Sequence, residues 1–401
     1  SNCTGLESVV FNDKETTNED SSLVIGNNVF SNCSKLTNVV LSSRVTSLGA
    51  SAFYNCKILN SISLPEGLTS IGDSCFDSCR ELEELYIPST LVDLGGVNLT
   101  KETEFNCFNN CISLKKIEVS EDNKTYASYL GSLYTKENGL LTKLCLVPRG
   151  IEGELVIPKT VNKIFNKALY INNNITSVSF EDNMSAYNPE TNTQGTLTIG
   201  TNAFYSCGSL KKASLPNLTT LSNGLFKFCS SLESFEVPYT VTKIDKQAFY
   251  YCSSLKNITF EETPEGVTPV NLEFVNCSVS TSVDQGVPYV SSCTSPFWRT
   301  ALTEVELPER TKIIGNYVFY GLSNLRRVYV PSTVTTIGNF VFASLSSTSS
   351  SLTDVTIAEN SKLTKIGNYC FQYAKIGAVN LPDSVTTLGS NAFNQSYIRS
   401  E

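Results

Sequence analysis

One frame recurs along the chain: Phe, two residues, Cys or a small residue, two residues, Leu, two residues, then Ile or Val. A repeat of near-constant period limits the fold more than any other feature, because each copy must become the same local structure. The frame aligns SAFYNCKILNSISLPEGLTSIG (51 to 72) with SCFDSCRELEELYIPSTLVDLG (74 to 95), QAFYYCSSLKNITF (247 to 260) and YVFYGLSNLRRVYVPSTVTTIG (317 to 338). Its anchors fall at Phe30, Phe53, Phe76, Phe108, Leu169 (a substitute), Phe204, Phe226, Phe249, Phe274, Phe297, Phe319, Phe342, Phe371 and Phe393, mostly 22 to 25 residues apart. The wider gaps are insertions rather than new domains, near 96–105, 183–196, 276–296 and 346–351, in a single repeat domain over 1–401.

Within a unit, LNSISLP (59 to 65) ends on a period-two alternation. That predicts a short strand with Ile62 and Leu64 inward and Ser61 and Ser63 outward. Pro65 has no amide proton for a further ladder bond and ends the strand. Leu68, Ile71 and Gly72 follow, the glycine permitting a tight change of direction. The polar residue after it (Asp73, Asn316, Asn339, Asn368 or Ser390) suits the N-cap of a short helix carrying the anchor. The expected unit is strand, turn, short helix. No such unit buries its own apolar face, so about 14 units of 22–25 residues are expected to stack into an α/β repeat solenoid, with parallel strands on one side and short helices or turns on the other.

The 14 cysteines fall mostly in columns of this frame. Cys33, Cys56, Cys79, Cys111, Cys207, Cys229, Cys252 and Cys277 sit three residues after an anchor, where other units have Leu322, Leu345 or Ala374. A position shared by Cys, Leu and Ala behaves as a small buried apolar site, which free Cys fills well. Cys277 and Cys293 flank a loop and are the pair to test for a disulfide.

These residues resemble the BspA-like leucine-rich repeat family: LPEGLTSIGDSCFDSC, VPYTVTKIDKQAFYYC and LPDSVTTLGSNAF match its unit. GSLYTKENGLLTKLCLVPRG (131 to 150) also resembles an inserted hairpin of that family, placed at 126–150, and Asn138-Gly139 is a strong turn signal between its arms. The resemblance implies a leucine-rich repeat stack at a cell surface or outside the cell, with an adhesin-like role toward host proteins.

Composition removes several alternatives. The chain has no histidine, which excludes Ser/His/Asp and Cys/His catalysis and most catalytic zinc sites. A net charge of −8, with no basic run longer than a Lys or Arg pair, argues against nucleic acid. No stretch approaches the roughly 18 apolar residues of a membrane helix. The acidic turns SEDNK, FEDNM, FEETPEG and IAENS (from 120, 180, 260 and 357) lack the alternating ligands of a calcium loop. No enzyme activity, cofactor or metal is expected.

A partner therefore has surfaces to choose from. Outward strand positions become charged and aromatic at Glu84, Tyr86, Lys116, Glu304, Glu306, Arg327 and Tyr329, a composition found at interface anchors. A second column, Tyr54, Tyr170, Tyr205, Tyr250, Trp298 and Tyr320, follows the anchors and either covers core or offers aromatic contacts. Insertions are the third choice. The expectation is a non-catalytic surface or secreted recognition scaffold for a protein or glycoprotein. The alternatives are an architectural spacer of a larger envelope protein, favoured by the mid-repeat start of what reads as a piece of a longer chain, and, less so, a glycan-active enzyme.

Overall fold

In the computed structural model, residues 1–11, 22–95, 105–191, 193–284 and 287–396 are described; nearly all of the 96–105 insertion lies outside them. A unit contributes two short strands rather than one, so two parallel ladders run along the chain. The first collects the alternating segments: Glu84–Ile87 beside Lys116–Val119, Ser234–Val237 beside Asn257–Phe260, and Glu304–Glu306, Arg327–Val330 and Asp354–Ile357 in order. The second is built from the segment before the glycine. Its longest sheet runs from Thr220–Leu221 through Lys243–Ile244, Leu272–Phe274, Thr311–Ile314, Thr336–Ile337 and Lys365–Ile366 to Thr387–Leu388.

The glycine directly after this second strand, Gly95 (φ 74°) excepted, does not turn the chain by an unusual φ. A Cβ on Gly72 would stand 2.4 Å from the Ala50 nitrogen, and one on Gly389 2.4 Å from that of Asn368. The residue is small because the backbone below lies against it. The polar residue that follows is likewise no helix cap. Asn316, Asn339 and Asn368 use Oδ1 to accept the backbone N–H of the next unit, from Asn339 at 2.7 Å, Asn368 at 2.8 Å and Ser390 at 2.8 Å.

The expected short helices are absent from the described residues, where the one helical segment is a three-residue 3-10 turn, Glu181–Asn183. Backbone dihedrals explain this. At most anchors the residues two before and two after lie in the left-handed region, as Ser51 (φ 54°) and Asn55 (φ 59°) do around Phe53. Left-handed residues so close together cannot lie inside a right-handed helix, so the anchors ride on stacked turns.

Phe30, Phe53, Phe76 and Phe108 stack with ring centroids 5.3–5.9 Å apart. A second run goes from Phe204 through Phe226, Phe249, Phe297, Phe319, Phe342 and Phe371 to Phe393. Phe249 lies directly on Phe297, at 5.7 Å. Phe274 is therefore not an anchor: it belongs to the second ladder, in register with Ile244 and Ile314. Cys277 consequently leaves the cysteine column.

The column itself is more than apolar filling. Cys56, Cys79, Cys111, Cys207, Cys229 and Cys252 each donate Sγ–H to the carbonyl of the anchor one unit earlier, as Cys56 does to Phe30, at 2.9–3.2 Å. Ser396 makes the same bond to Phe371, at 2.7 Å. All the cysteines are free thiols, Cys277 and Cys293 included. Burial pushes Cys56, Cys107, Cys277 and Cys293 up to about 12 and raises Cys75, Cys79, Cys229 and Cys252 as well.

Among the described residues three antiparallel insertions leave the ladders. Tyr126–Tyr129, Ser132–Glu137 and Leu140–Leu146 form the largest, which shares Tyr126 and Leu133 with one core cluster and Tyr134 and Leu144 with the next. The others pair Tyr187–Asn188 with Thr193–Gln194 and Val279–Asp284 with Val287–Cys293. The serine-rich 346–351 stretch closes on itself through Ser346 and Ser349.

Candidate functional site

Parallel pairing of the first ladder converts the alternation of single strands into a grid. Glu304 lies beside Arg327, which lies beside Asp354; one step along the strands, Glu306 lies beside Tyr329, which lies beside Thr356. Between them Val305, Val328 and Val355 point into the core. The outward residues thus stand about 4.8 Å apart across strands with their backbones fully engaged in the ladder.

Arg327 Nη2 is 2.5 Å from Glu304 Oε2, and both side chains are exposed. The pair is solvent-screened and contributes little stability. Glu306 has no cationic partner among the described residues, and Asp354 Oδ1 accepts only the Thr356 hydroxyl, at 3.2 Å. These residues, with Asn257 and Thr259, line a shallow cleft of about 420 Å³. It meets at Thr259 a larger polar cleft of about 890 Å³ lined by Glu154, Ser179, Lys212, Glu236 and Glu261 among others. Sequence reasoning placed most of these residues outward without singling them out as binding candidates; the signal available was their run of small polar side chains.

Glu84, Tyr86 and Lys116 sit on another part of the same ladder. Glu84 lies beside Lys116, and Tyr86 beside Glu118. Lys116 Nζ turns to Glu118, at 2.5 Å, and that hydrogen bond raises its pKa. The seven candidates therefore fall into two grids of like chemistry, three on one and four on the other; with the non-candidate Glu118 counted, each grid has two Glu, one cation and one Tyr. They do not form one continuous patch, because the hairpin strands are inserted after Lys116–Val119.

The aromatic column divides as well. Tyr54 is exposed and outside any ring stack among the described residues. Tyr170 stacks on Tyr205 at 4.9 Å, and Tyr205 meets Phe228 edge-on. Tyr250 packs against Phe228, under the Lys227 ammonium. Trp298 is buried and stacks on Tyr320 at 5.8 Å, and burial pushes Tyr320 up to about 12. A further stripe that sequence reasoning missed, Tyr317, Phe340 and Tyr369, stacks at 4.9 Å from two positions before the anchor. Rings stacked this closely cover one another's faces and leave mainly edges for a partner.

Fold and grid together define a leucine-rich repeat protein with parallel strands and almost no helix. The family model described as BspA type leucine rich repeat region matches residues 1–130, 191–285 and 293–400 in 6 copies, and the chain belongs to that family. Among solved structures it is similar to a leucine-rich cell surface protein of Faecalibacterium prausnitzii A2-165, with 22% identity over 89% of this chain and 74% of that one, TM-score 0.47. It is also similar to a leucine-rich repeat protein of Eubacterium ventriosum, with 20% identity over 94% and 81%, TM-score 0.44. A third is the pneumococcal vaccine antigen PcpA, with 18% identity over 91% of this chain and 65% of that one, TM-score 0.43. No curated protein sequence matches. Among the described residues no helix is long and apolar enough to cross a membrane, and no group of His, Cys, Asp and Glu is arranged to hold a metal ion.

Proposed function

We propose that the chain is a non-catalytic recognition scaffold, at a cell surface or outside the cell, that binds a protein or glycoprotein through the strand face. Its ladders wind as an open solenoid with one unit fewer than the anchor spacing predicts, since Phe274 is no anchor. The observation that carries the reading is the unpartnered strand face: side chains stand outward on a rigid grid whose backbone is already hydrogen-bonded, over clefts that meet at Thr259. The names of the solved relatives, two of which are a cell surface protein and a vaccine antigen, are consistent with that location.

The test is binding of the purified chain to an array of extracellular-matrix proteins and glycoproteins, beside a variant with Glu304, Arg327 and Tyr329 replaced by Ala. Selective binding lost in the variant is expected. Selective binding that survives would move the site to the aromatic stripes or the insertions, and absence of binding would favour a spacer.

A further inference from the structure

Among the described residues the strand face is open from Gly153–Ile157 to Asp354–Ile357, a span of about 30 Å at a strand spacing near 4.8 Å. The clefts along it meet at Thr259, so the span is one trough, long enough for an extended peptide of roughly ten residues. Its strands cannot add a further strand: Arg327–Val330, for example, is hydrogen-bonded on both sides. An occupant must be recognised by side chains.

Charge selects the occupant. Six carboxylates line the trough, Glu154, Glu236, Glu261, Glu304, Glu306 and Asp354, against two cations, Lys212 and Arg327. Arg327 is already neutralised by Glu304. Glu306 stands free beside the half-buried Tyr329, and Asp354 flanks the neighbouring position. A carboxylate next to a half-buried ring suits an ammonium or guanidinium, which gains an ion pair and a cation–π contact together. We infer that the partner's docking segment is an extended basic polypeptide, with a lysine or arginine seated between Glu306, Tyr329 and Asp354. The inference rests on the strand-face reading above and adds the chemistry of what sits there.

The test uses a fluorescein-labelled decapeptide of alternating lysine and serine and its fully lysine-acetylated copy, with anisotropy measured on the whole chain at low and physiological salt. The lysine peptide is expected to bind and the acetylated one not. Binding should weaken with salt as exposed charges are screened. The double substitution Glu306→Gln and Asp354→Asn should weaken it about tenfold, since two charges facing the ligand are removed while shape is kept. Glu121→Gln removes the same charge from an exposed turn outside the trough and should change affinity less than about twofold. Equal binding of both peptides, or full binding by the double variant, overturns the inference. The matrix array separates this from the broader reading. A partner lost in the Glu304, Arg327 and Tyr329 alanine variant, yet indifferent to salt and to the double substitution, refutes the basic segment and leaves the strand face standing. Binding indifferent to all of these variants refutes both.

Discussion

Replacing Cys229 distinguishes a column of packed sulfurs from a column of hydrogen-bond donors. The side chain is fully buried and donates to the Phe204 carbonyl at 2.9 Å. That carbonyl also accepts the Cys207 N–H, but at 3.3 Å, so the thiol is the shorter of its two bonds. Cys229→Ala removes one net hydrogen bond, about 1 kcal/mol, and leaves a void the size of a sulfur, about 1 kcal/mol more. Cys229→Ser keeps a donor and should cost about 1 kcal/mol or less, whereas Cys229→Val fills the space but leaves the carbonyl with its longer bond alone, about 1–2 kcal/mol. The expected order of stability is native, Ser, Val, Ala. Urea unfolding followed by circular dichroism gives the order, and hydrogen exchange at Phe226 and Cys229 reports it locally, which matters because long repeat arrays depart from two-state unfolding. If Val matches the native protein and Ser is the least stable, the thiols only pack, and the donor ladder is refuted.

Other outcomes follow from the same geometry. Because burial raises most of these thiols above their ordinary value of 9.0, the native state binds protons the unfolded state releases. Their contribution is complete below pH 9 and is lost as pH climbs toward 12, at about 1.4 kcal/mol per thiol per pH unit; an alkaline titration should show cooperative unfolding soon after pH 9, together with rising thiolate absorbance. Arg310, buried, donates Nη2 to the Pro238 carbonyl at 3.0 Å and Nη1 to that of Val241, so Arg310→Met should cost about 3–5 kcal/mol in denaturant unfolding by stripping two buried carbonyls of charged donors. A Cβ on Gly338 would stand 2.6–2.8 Å from Asn316 and Gly315 atoms, while Gly139, at φ 79°, has open space around it. Gly338→Ala should therefore lower the melting temperature more than Gly139→Ala, which carries only the left-handed penalty of about 1 kcal/mol.

What could be read from the letters was whatever repeats with a period. The phenylalanine spine, the inward cysteines and the outward grid follow from counting and appear where counting puts them, except at Phe274, which joins the second ladder, and at Leu345, which takes the cysteine position but is exposed because its side chain does not enter the core. Phe274 failed because F-x-x-C recurs there by coincidence: it has a left-handed residue neither two places before nor two places after it, whereas every ring of the two phenylalanine runs has at least one, as Ser51 and Asn55 mark Phe53. The same signal, Asn and Ser two before and two after the anchors, argued against helices and was passed over in favour of a capping role. The second strand is too short for any periodicity to declare it. Least legible were single polar residues that stand in for a missing turn. Where the strand-ending proline is absent after Val119, buried Asn123 reaches the Pro88 and Leu91 carbonyls at 2.8 and 2.9 Å; where it is absent after Phe260, Arg310 does so for Pro238 and Val241. An isolated residue with a long-range task leaves no pattern in sequence.

The contact between successive glycines and asparagines holds the units at van der Waals range, whatever lies between them along the chain. Phe53 and Phe76 are 23 positions apart and their rings 5.5 Å apart; Phe249 and Phe297 are 48 positions apart and their rings 5.7 Å apart. Sequence length and molecular length are thereby uncoupled. A lineage can enlarge such a protein at the seams, acquiring new hairpins there, while the ruler marked on its strand face keeps the same graduations.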